Sequence, residues 1–389
     1  MDILYFCSPP LLDYSAEQIN DLKQHVNLHV VIWVALHSPN HTILKLNEQH
    51  SLKGIYTFDA IKDEIENADL FEEYFKGCES VHFLFFPAKP GLNIISLTVD
   101  LLKLTNNVNP EIIHLDDISG RLLLFVLFLR RQKLILNIHD PALHSGEANW
   151  FYSIMRKVIF KKMAAFCTFS NFSRQLFISI YRPQVPVVDL RLVPYYSYSL
   201  LGGKAVKEIK KSPNEKVLLF FGRISPYKGI DELLLAFSKV LQKVPNVKLV
   251  VAGTGTYQYN LPASLLYSPR LILVNRFITK NEIKSLFEQA DVIICPYRDA
   301  TQSGVLMTAA VFDLPAIVSN VGALPEYIRD GVNGYVYDLK DEMGLENTIM
   351  QFLTENRYLA KSVLSRTDIE VSRNSQLLVN LYSQLIAAK

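Results

Sequence analysis

The chain has 389 residues, 49% of them hydrophobic, enough for two domains with separate cores. A formal net charge of +2, from 40 basic and 38 acidic residues, argues against a nucleic-acid-binding protein, in which a strongly basic face is expected. Cys7, Cys78, Cys167 and Cys295 have no paired spacing and read as reduced core thiols, not disulfides or a metal site.

The start, MDILYFCSPP, lacks the basic n-region of a signal peptide, and the most apolar window, Leu122 to Leu129, is too short to span a bilayer. The expectation is a cytoplasmic protein. In chain order, apolar runs at Ile3–Cys7, Asn27–Ala35, Ser80–Phe86, Glu111–Leu115, Lys133–Ile138 and Ala164–Phe169 read as strands. Helical spacing lies between them, at Ala60–Phe75 and Leu122–Arg131 among others. This alternation argues for a parallel sheet with helices on both faces. Residues 196–216, rich in Gly, Ser and Lys, read as a crossover. Beyond it come strands at Val217–Phe221, Val247–Ala252, Leu271–Val274, Asp291–Cys295 and Ala316–Ser319. Helices are expected at Glu232–Lys243, Lys280–Gln289 and Gly304–Phe312, a helical turn at Leu324–Ile328, and a turn at Asn333-Gly334. The expected organisation is an N-terminal α/β domain over 1–195, a linker over 196–216, a second α/β domain over 217–368, and a helix over 369–389 that packs back.

The stretch LLFFGRISPYKGID, Leu218 to Asp231, carries the clearest chemistry. A buried strand ends at Gly222, a short loop holds Arg223 and Lys228, and a helix follows with Asp231 as its expected cap and Leu234, Leu235, Phe237, Val240 and Leu241 as its apolar stripe. A helix N-terminus flanked by two cations suits a diphosphate. Other loops lie at strand ends of the same half: Ala252-Gly253-Thr254-Gly255, Pro296-Tyr297, Asp299 to Gly304, and Asn320 to Glu326. Gly253 and Gly255 allow a ligand close to the backbone or simply end the strand. In open α/β sheets ligands bind at the carboxyl ends of strands, and with two such domains the natural site is the cleft between them.

As a set, GRISPYKG (Gly222–Gly229), VVAGTG (Val250–Gly255), ADVIICPY (Ala290–Tyr297), LPAIVSNVGALPE (Leu314–Glu326) and DGVNGYVYD (Asp330–Asp338) resemble the retaining glycosyltransferases of family 4, which have the GT-B fold. NIHDPALHSGE, Asn137 to Glu147, and SNFSRQLF, Ser170 to Phe177, resemble segments of the family's first domain. The resemblance implies two Rossmann-like domains facing across a cleft. It implies transfer of a hexose or deoxyhexose from a nucleotide sugar to a growing glycan, a lipid-linked surface polysaccharide or O-antigen intermediate, with retained configuration and without metal or cofactor. Arg223 and Lys228 would stabilise the leaving diphosphate, and His139, at a strand end, would contact the donor sugar or position the acceptor. Gly222, Gly253, Gly255, Thr301, Gln302, Ser303, Gly304 and Thr308 fall on the donor side, Asp140 and His144 on the acceptor or sugar side. All nine histidines lie at or before His144, so a reaction using one draws it from the first half.

The chain departs from the family in two places. The first loop, Ser8 to Tyr14, has no glycine, and the family's two glutamates, eight positions apart, would fall at Ala300 and Thr308. A subset with Ala-Thr-Gln-Ser-Gly in that loop, Ala300 to Gly304, is the nearer match. Two other readings stand beside the transferase: a non-catalytic binding partner that keeps the fold, and a nucleotide-sugar epimerase. Phe151 to Phe166, with Arg156, Lys157, Lys161 and Lys162, reads either as a basic amphipathic helix at the inner membrane face or as a core helix with a solvated basic face.

Overall fold

The computed structural model describes residues 1–35, 44–47, 52–87, 91, 93–117, 119–142, 150–200, 202–209, 211–355 and 367–388. They divide into two compact units, Met1–Val193 with Ile369–Lys389, and Pro194–Asp368.

The first unit contains β1 (Asp2–Cys7), α1 (Leu12–Leu22), β2 (Asn27–Ala35), β3 (Gly54–Thr57), α2 (Phe58–Ile61), α3 (Ala68–Phe75), β4 (Ser80–Phe86), α4 (Asn93–Val108), β5 (Ile112–Leu115), α5 (Leu123–Phe128), β6 (Lys133–Ile138), α6 (Trp150–Phe160), β7 (Ala165–Thr168), α7 (Asn171–Tyr181) and β8 (Val187–Asp189). Its strands form one sheet in the order β3-β4-β2-β1-β5-β6-β7-β8, parallel throughout except for β3 against β4. The second unit contains α8 (Ser197–Leu200), β9 (Lys216–Phe221), α9 (Ile230–Lys243), β10 (Val247–Gly253), β11 (Leu271–Asn275), α10 (Lys280–Glu288), β12 (Val292–Cys295), α11 (Gly304–Val311), β13 (Ala316–Ser319), β14 (Gly334–Tyr337) and α12 (Gly344–Thr354). Its parallel sheet runs β11-β10-β9-β12-β13-β14. Each unit is thus a Rossmann-like α/β layer structure. A last helix, α13 (Thr367–Ala387), is counted with the first unit from Ile369 onward.

Central strands covered on both faces need apolar side chains at successive positions, which is why continuous runs such as Ile3–Cys7 and Val217–Phe220 are strands and are almost wholly buried. Four expectations need correction. The helix expected over Ala60–Phe75 is broken: α2 ends at Ile61, and Ile65 turns extended to bridge Leu46 before α3 begins. Asp231 is not the cap of α9. Gly229 holds that place at φ 69°, and Asp231 accepts from the Tyr257 hydroxyl at 2.6 Å and the Asn260 amide at 2.7 Å. Leu235 is 54% exposed, because Leu233, Leu234, Ala236, Phe237 and Val240 are the residues that α9 turns inward. The stretch 196–216, read as a linker, is counted with the second unit, where α8 packs on α10 and α11 and the Lys204 amide donates to the Asn281 carbonyl. No helix among the described residues is long and apolar enough to cross a membrane.

In each sheet the chain runs outward to one side of the first strand and then returns to its other side. The reversal falls at β1, between β2 and β5, and at β9, between β10 and β12. A crevice opens beyond the carboxyl ends of strands at such a reversal. Gly222, Arg223 and Lys228 follow β9, Gly253 ends β10 with Gly255 just past it, Thr301 to Ser303 lie between β12 and α11, which Gly304 begins, and His139 and Asp140 follow β6.

Candidate functional site

In the second unit the loops after β9, β10, β12 and β13 are packed backbone against backbone. The Gly222 amide donates to the Ala252 carbonyl at 3.0 Å, and the Ile224 amide to the Thr254 carbonyl at 2.9 Å. A Cβ on Gly253, at φ 151°, would lie 1.8 Å from the Gly222 carbonyl oxygen, and one on Gly255 would lie 2.1 Å from that of Ile224. The close approach these glycines permit is therefore that of the neighbouring loop, and the space a side chain would need is filled by the chain itself. Gly222, at φ 124°, has the Val305 side chain against its open face.

Arg223 is exposed at the end of β9. Lys228 is held more closely: its Nζ lies 3.5 Å from the centroid of the Tyr297 ring and 5.1 Å from that of Tyr227. Tyr297 follows β12 and is 1% exposed, with its hydroxyl against Cys295 and Ser303. A buried aromatic face thus fixes a cation beside the β9–β12 reversal, a favourable cation–π contact. Beside Lys228, the Arg298 amide donates to the Tyr227 carbonyl at 2.7 Å and its guanidinium pairs with Glu232 at 2.9 Å.

The loop Thr301 to Gly304 leads into α11. Ser303 takes the extended N-cap conformation, and Thr301 and Ser303 are buried. Gln302 is half-buried, and Gly304 has the Tyr195 ring 3.2 Å from where its Cβ would be. The Thr308 hydroxyl donates to the Gly304 carbonyl one turn back at 3.0 Å, and the residue is buried. Ala300 is buried, its carbonyl accepting from the Ala323 amide.

In the first unit the ends of β1, β5, β6 and β7 converge. His139, just past β6, stacks on Phe169 at 4.6 Å and meets the edge of Tyr14 from α1. Its Nε2 lies 3.1 Å from Oδ1 of Asp116, which follows β5 and is fully buried. The Asp116 carboxylate also accepts from the Asn137 amide at 2.6 Å and from the Ser15 hydroxyl. Burial opposes the charge on His139, but the hydrogen bond and charge of Asp116, aided by Asp117 and Asp140, outweigh it and hold the imidazole above its ordinary value. Burial likewise works against the Asp116 anion, and His139, Asn137 and Ser15 together bring its carboxyl below the usual range. Asp140 is half-buried. His144 lies outside the described residues. Ser170 caps α7, accepting from the Ser173 amide at 3.0 Å.

Arg156, read from the sequence as part of a basic helix face, is turned inward. It is 7% exposed, and its guanidinium donates to the carbonyls of Asp140 at 2.7 Å and Pro141 at 3.2 Å, tying α6 to the segment that carries His139. Asp116, Arg156 and Tyr297 went unread as site residues in the sequence. For Asp116 a signal was present: two carboxylates stand at the end of the apolar run IIHL.

Residues 204–364 match the family model described as "Glycosyl transferases group 1". An uncharacterized glycosyltransferase of Methanocaldococcus jannaschii is 34% identical over 135 residues, 34% of each chain, and this chain spans about a third of the length of such curated relatives. Among solved structures, sucrose-phosphate synthase from Thermosynechococcus elongatus aligns over 100% of this chain and 99% of its own, with a TM-score of 0.66 at 15% identity. Anabaena HepE, solved with UDP and glucose, aligns over 98% and 100% with a TM-score of 0.62 at 15% identity. The fold is the GT-B fold of two Rossmann-like units, and the match to the family model falls within the second unit.

Proposed function

We propose that the protein is a retaining, metal-independent glycosyltransferase that moves a hexose or deoxyhexose from a nucleoside-diphosphate sugar to a growing glycan. The observation that carries this reading is the pair Arg223 and Lys228 at the strand reversal of the second unit, with Lys228 fixed over the buried Tyr297 ring. The group 1 match over 204–364 and the UDP bound to a structural neighbour support the same ligand class.

As the bond from the anomeric carbon to the phosphate oxygen breaks, negative charge grows on the leaving diphosphate and the sugar becomes oxocarbenium-like. Cations already in position stabilise that charge more than the ground state. Arg223 and Lys228 take this role, the α11 amides and the Thr301–Gly304 loop take the nucleotide, and His139, oriented by Asp116, serves the sugar or the acceptor. Attack on the face of departure retains configuration. The acceptor we favour is lipid-linked: Lys157 on α6 and Lys161 just past its end are exposed, and Ile154 and Val158 of the helix are 53% and 41% exposed, a surface suited to an anionic leaflet.

The test is release of free nucleoside diphosphate from a panel of nucleotide sugars, with and without glycan acceptors and anionic vesicles. Acceptor-stimulated release from one donor is expected. A second reading, a non-catalytic partner of an active transferase, is favoured by the apolar Ala300 and the inward Thr308 hydroxyl where the family carries glutamates. Nucleotide binding without turnover of any donor would select it.

A further inference from the structure

A chain of buried polar side chains runs from the C-terminal helix to His139. Tyr382 of α13, His114 of β5, Asn137 of β6 and Asp116 are all buried, the most exposed of them at 3%. The Tyr382 hydroxyl lies 2.6 Å from His114 Nδ1, and His114 Nε2 lies 2.8 Å from Asn137 Oδ1. Asn137 Nδ2 reaches Asp116 at 2.6 Å, and His139 Nε2 meets the same carboxylate at 3.1 Å.

The direction of every bond follows from one fact: a carboxylate only accepts. Asn137 must turn its amide nitrogen to Asp116, so its oxygen faces His114, and His114 Nε2 must donate. Burial holds His114 down at about 4, so the ring is neutral, and its Nδ1 accepts from Tyr382. His139 donates from Nε2 to the Asp116 carboxylate.

We propose that Asp116 is the positioning residue for His139, and that Tyr382, His114 and Asn137 form a one-directional hydrogen-bond relay through which α13 sets how strongly Asp116 grips the imidazole. The inference deepens the transferase reading, since it rests on His139 as a site residue. Asp116 has three donors: Ser15, Asn137 and His139. Each competes for the same charge, so weakening one strengthens the others. The relay gives the C-terminal helix a part in tuning the site beyond packing. Among the described residues, the charged and titratable groups acting on the His139 ring include Asp116 and Asp117 after β5, Asp140 on its own segment and Tyr14 of α1, while Phe169 after β7 offers its ring face.

The test is an imidazole proton–nitrogen correlation spectrum of the full chain labelled at histidine, recorded across pH. His139 and His114 are assigned by the signals lost in His139→Gln and His114→Gln. The wild type should show His114 as the Nε2–H tautomer. Asp116→Asn should lower the His139 midpoint by about one pH unit or more. Ser15→Ala removes a competing donor and should raise that midpoint. Tyr382→Phe should raise it by less, with the His114 Nδ1 signal shifted by loss of its donor while the Nε2–H tautomer, fixed by Asn137, persists. Opposite signs at Asp116 and Ser15 are not what general loosening of the fold would give. If Asp116→Asn does not fold, the other two variants decide. A His139 midpoint unmoved in Ser15→Ala and Tyr382→Phe, or in Asp116→Asn, overturns the relay. A relay that behaves as described in a protein that turns over no donor leaves it standing and removes the transferase reading instead.

Discussion

Lys228 owes its place to a ring. With Nζ 3.5 Å from the Tyr297 centroid, its long side chain is preorganised, and less entropy is lost when a diphosphate arrives. Tyr297→Phe keeps that face and should keep nucleotide affinity, whereas Tyr297→Leu should lower it several-fold by titration calorimetry. Gly253 makes a different demand. With φ at 151° and a carbonyl where its Cβ would go, Gly253→Ala should cost about 2 kcal/mol or more in denaturant unfolding. The histidines divide by sign. His114, held at about 4 by burial, contributes stability above the unfolded value near 6.5, lost as pH falls toward 4. His139, raised, contributes stability that is complete below about 6.5 and lost as pH rises through its folded value. Unfolding free energy measured against pH should therefore sag on both sides, the acid side flattening in His114→Gln and the alkaline side in Asp116→Asn.

Among the elements, strands were legible and helix faces less so. β2, β4, β6 and β13 fall where their apolar runs place them, because the run of buried apolar residues at the centre of each marks the strand. α6 shows what the pattern hides. Its basic residues share a spacing but not a fate: Lys157 is exposed while Arg156 turns inward to hold two loop carbonyls. Linear sequence marks neither choice, since the partners lie on a loop 15 and 16 residues away. Arg156→Met keeps much of the bulk and removes the donors. It should lower donor turnover while moving the thermal midpoint only a few degrees, because the buried stem still packs. The Asp231 assignment failed for a similar reason: Gly229 can adopt the left-handed conformation that starts α9 two residues earlier, and the aspartate then finds Tyr257.

For the whole molecule, the two α/β units and their order were readable from alternating strands and helices. What the sequence concealed was long-range pairing: Gln18 with Ser375, Arg191 with Asn374, His114 with Tyr382. These contacts bind α13 into the first unit, with Leu378 and Tyr382 fully buried. Removal of residues 369–389 should expose that apolar surface and yield a chain that aggregates on expression.

The central claim is that the second unit holds a nucleoside diphosphate through Arg223 and Lys228. The most direct measurement is calorimetric titration of the full chain with a panel of nucleoside diphosphates, beside Arg223→Ala and Lys228→Ala. One diphosphate should bind the wild type, and each variant should lose about 1.5–3 kcal/mol, roughly 10- to 100-fold, with its unfolding curve unchanged. Equal affinity in the wild type and both variants, or no binding to any diphosphate, would contradict it.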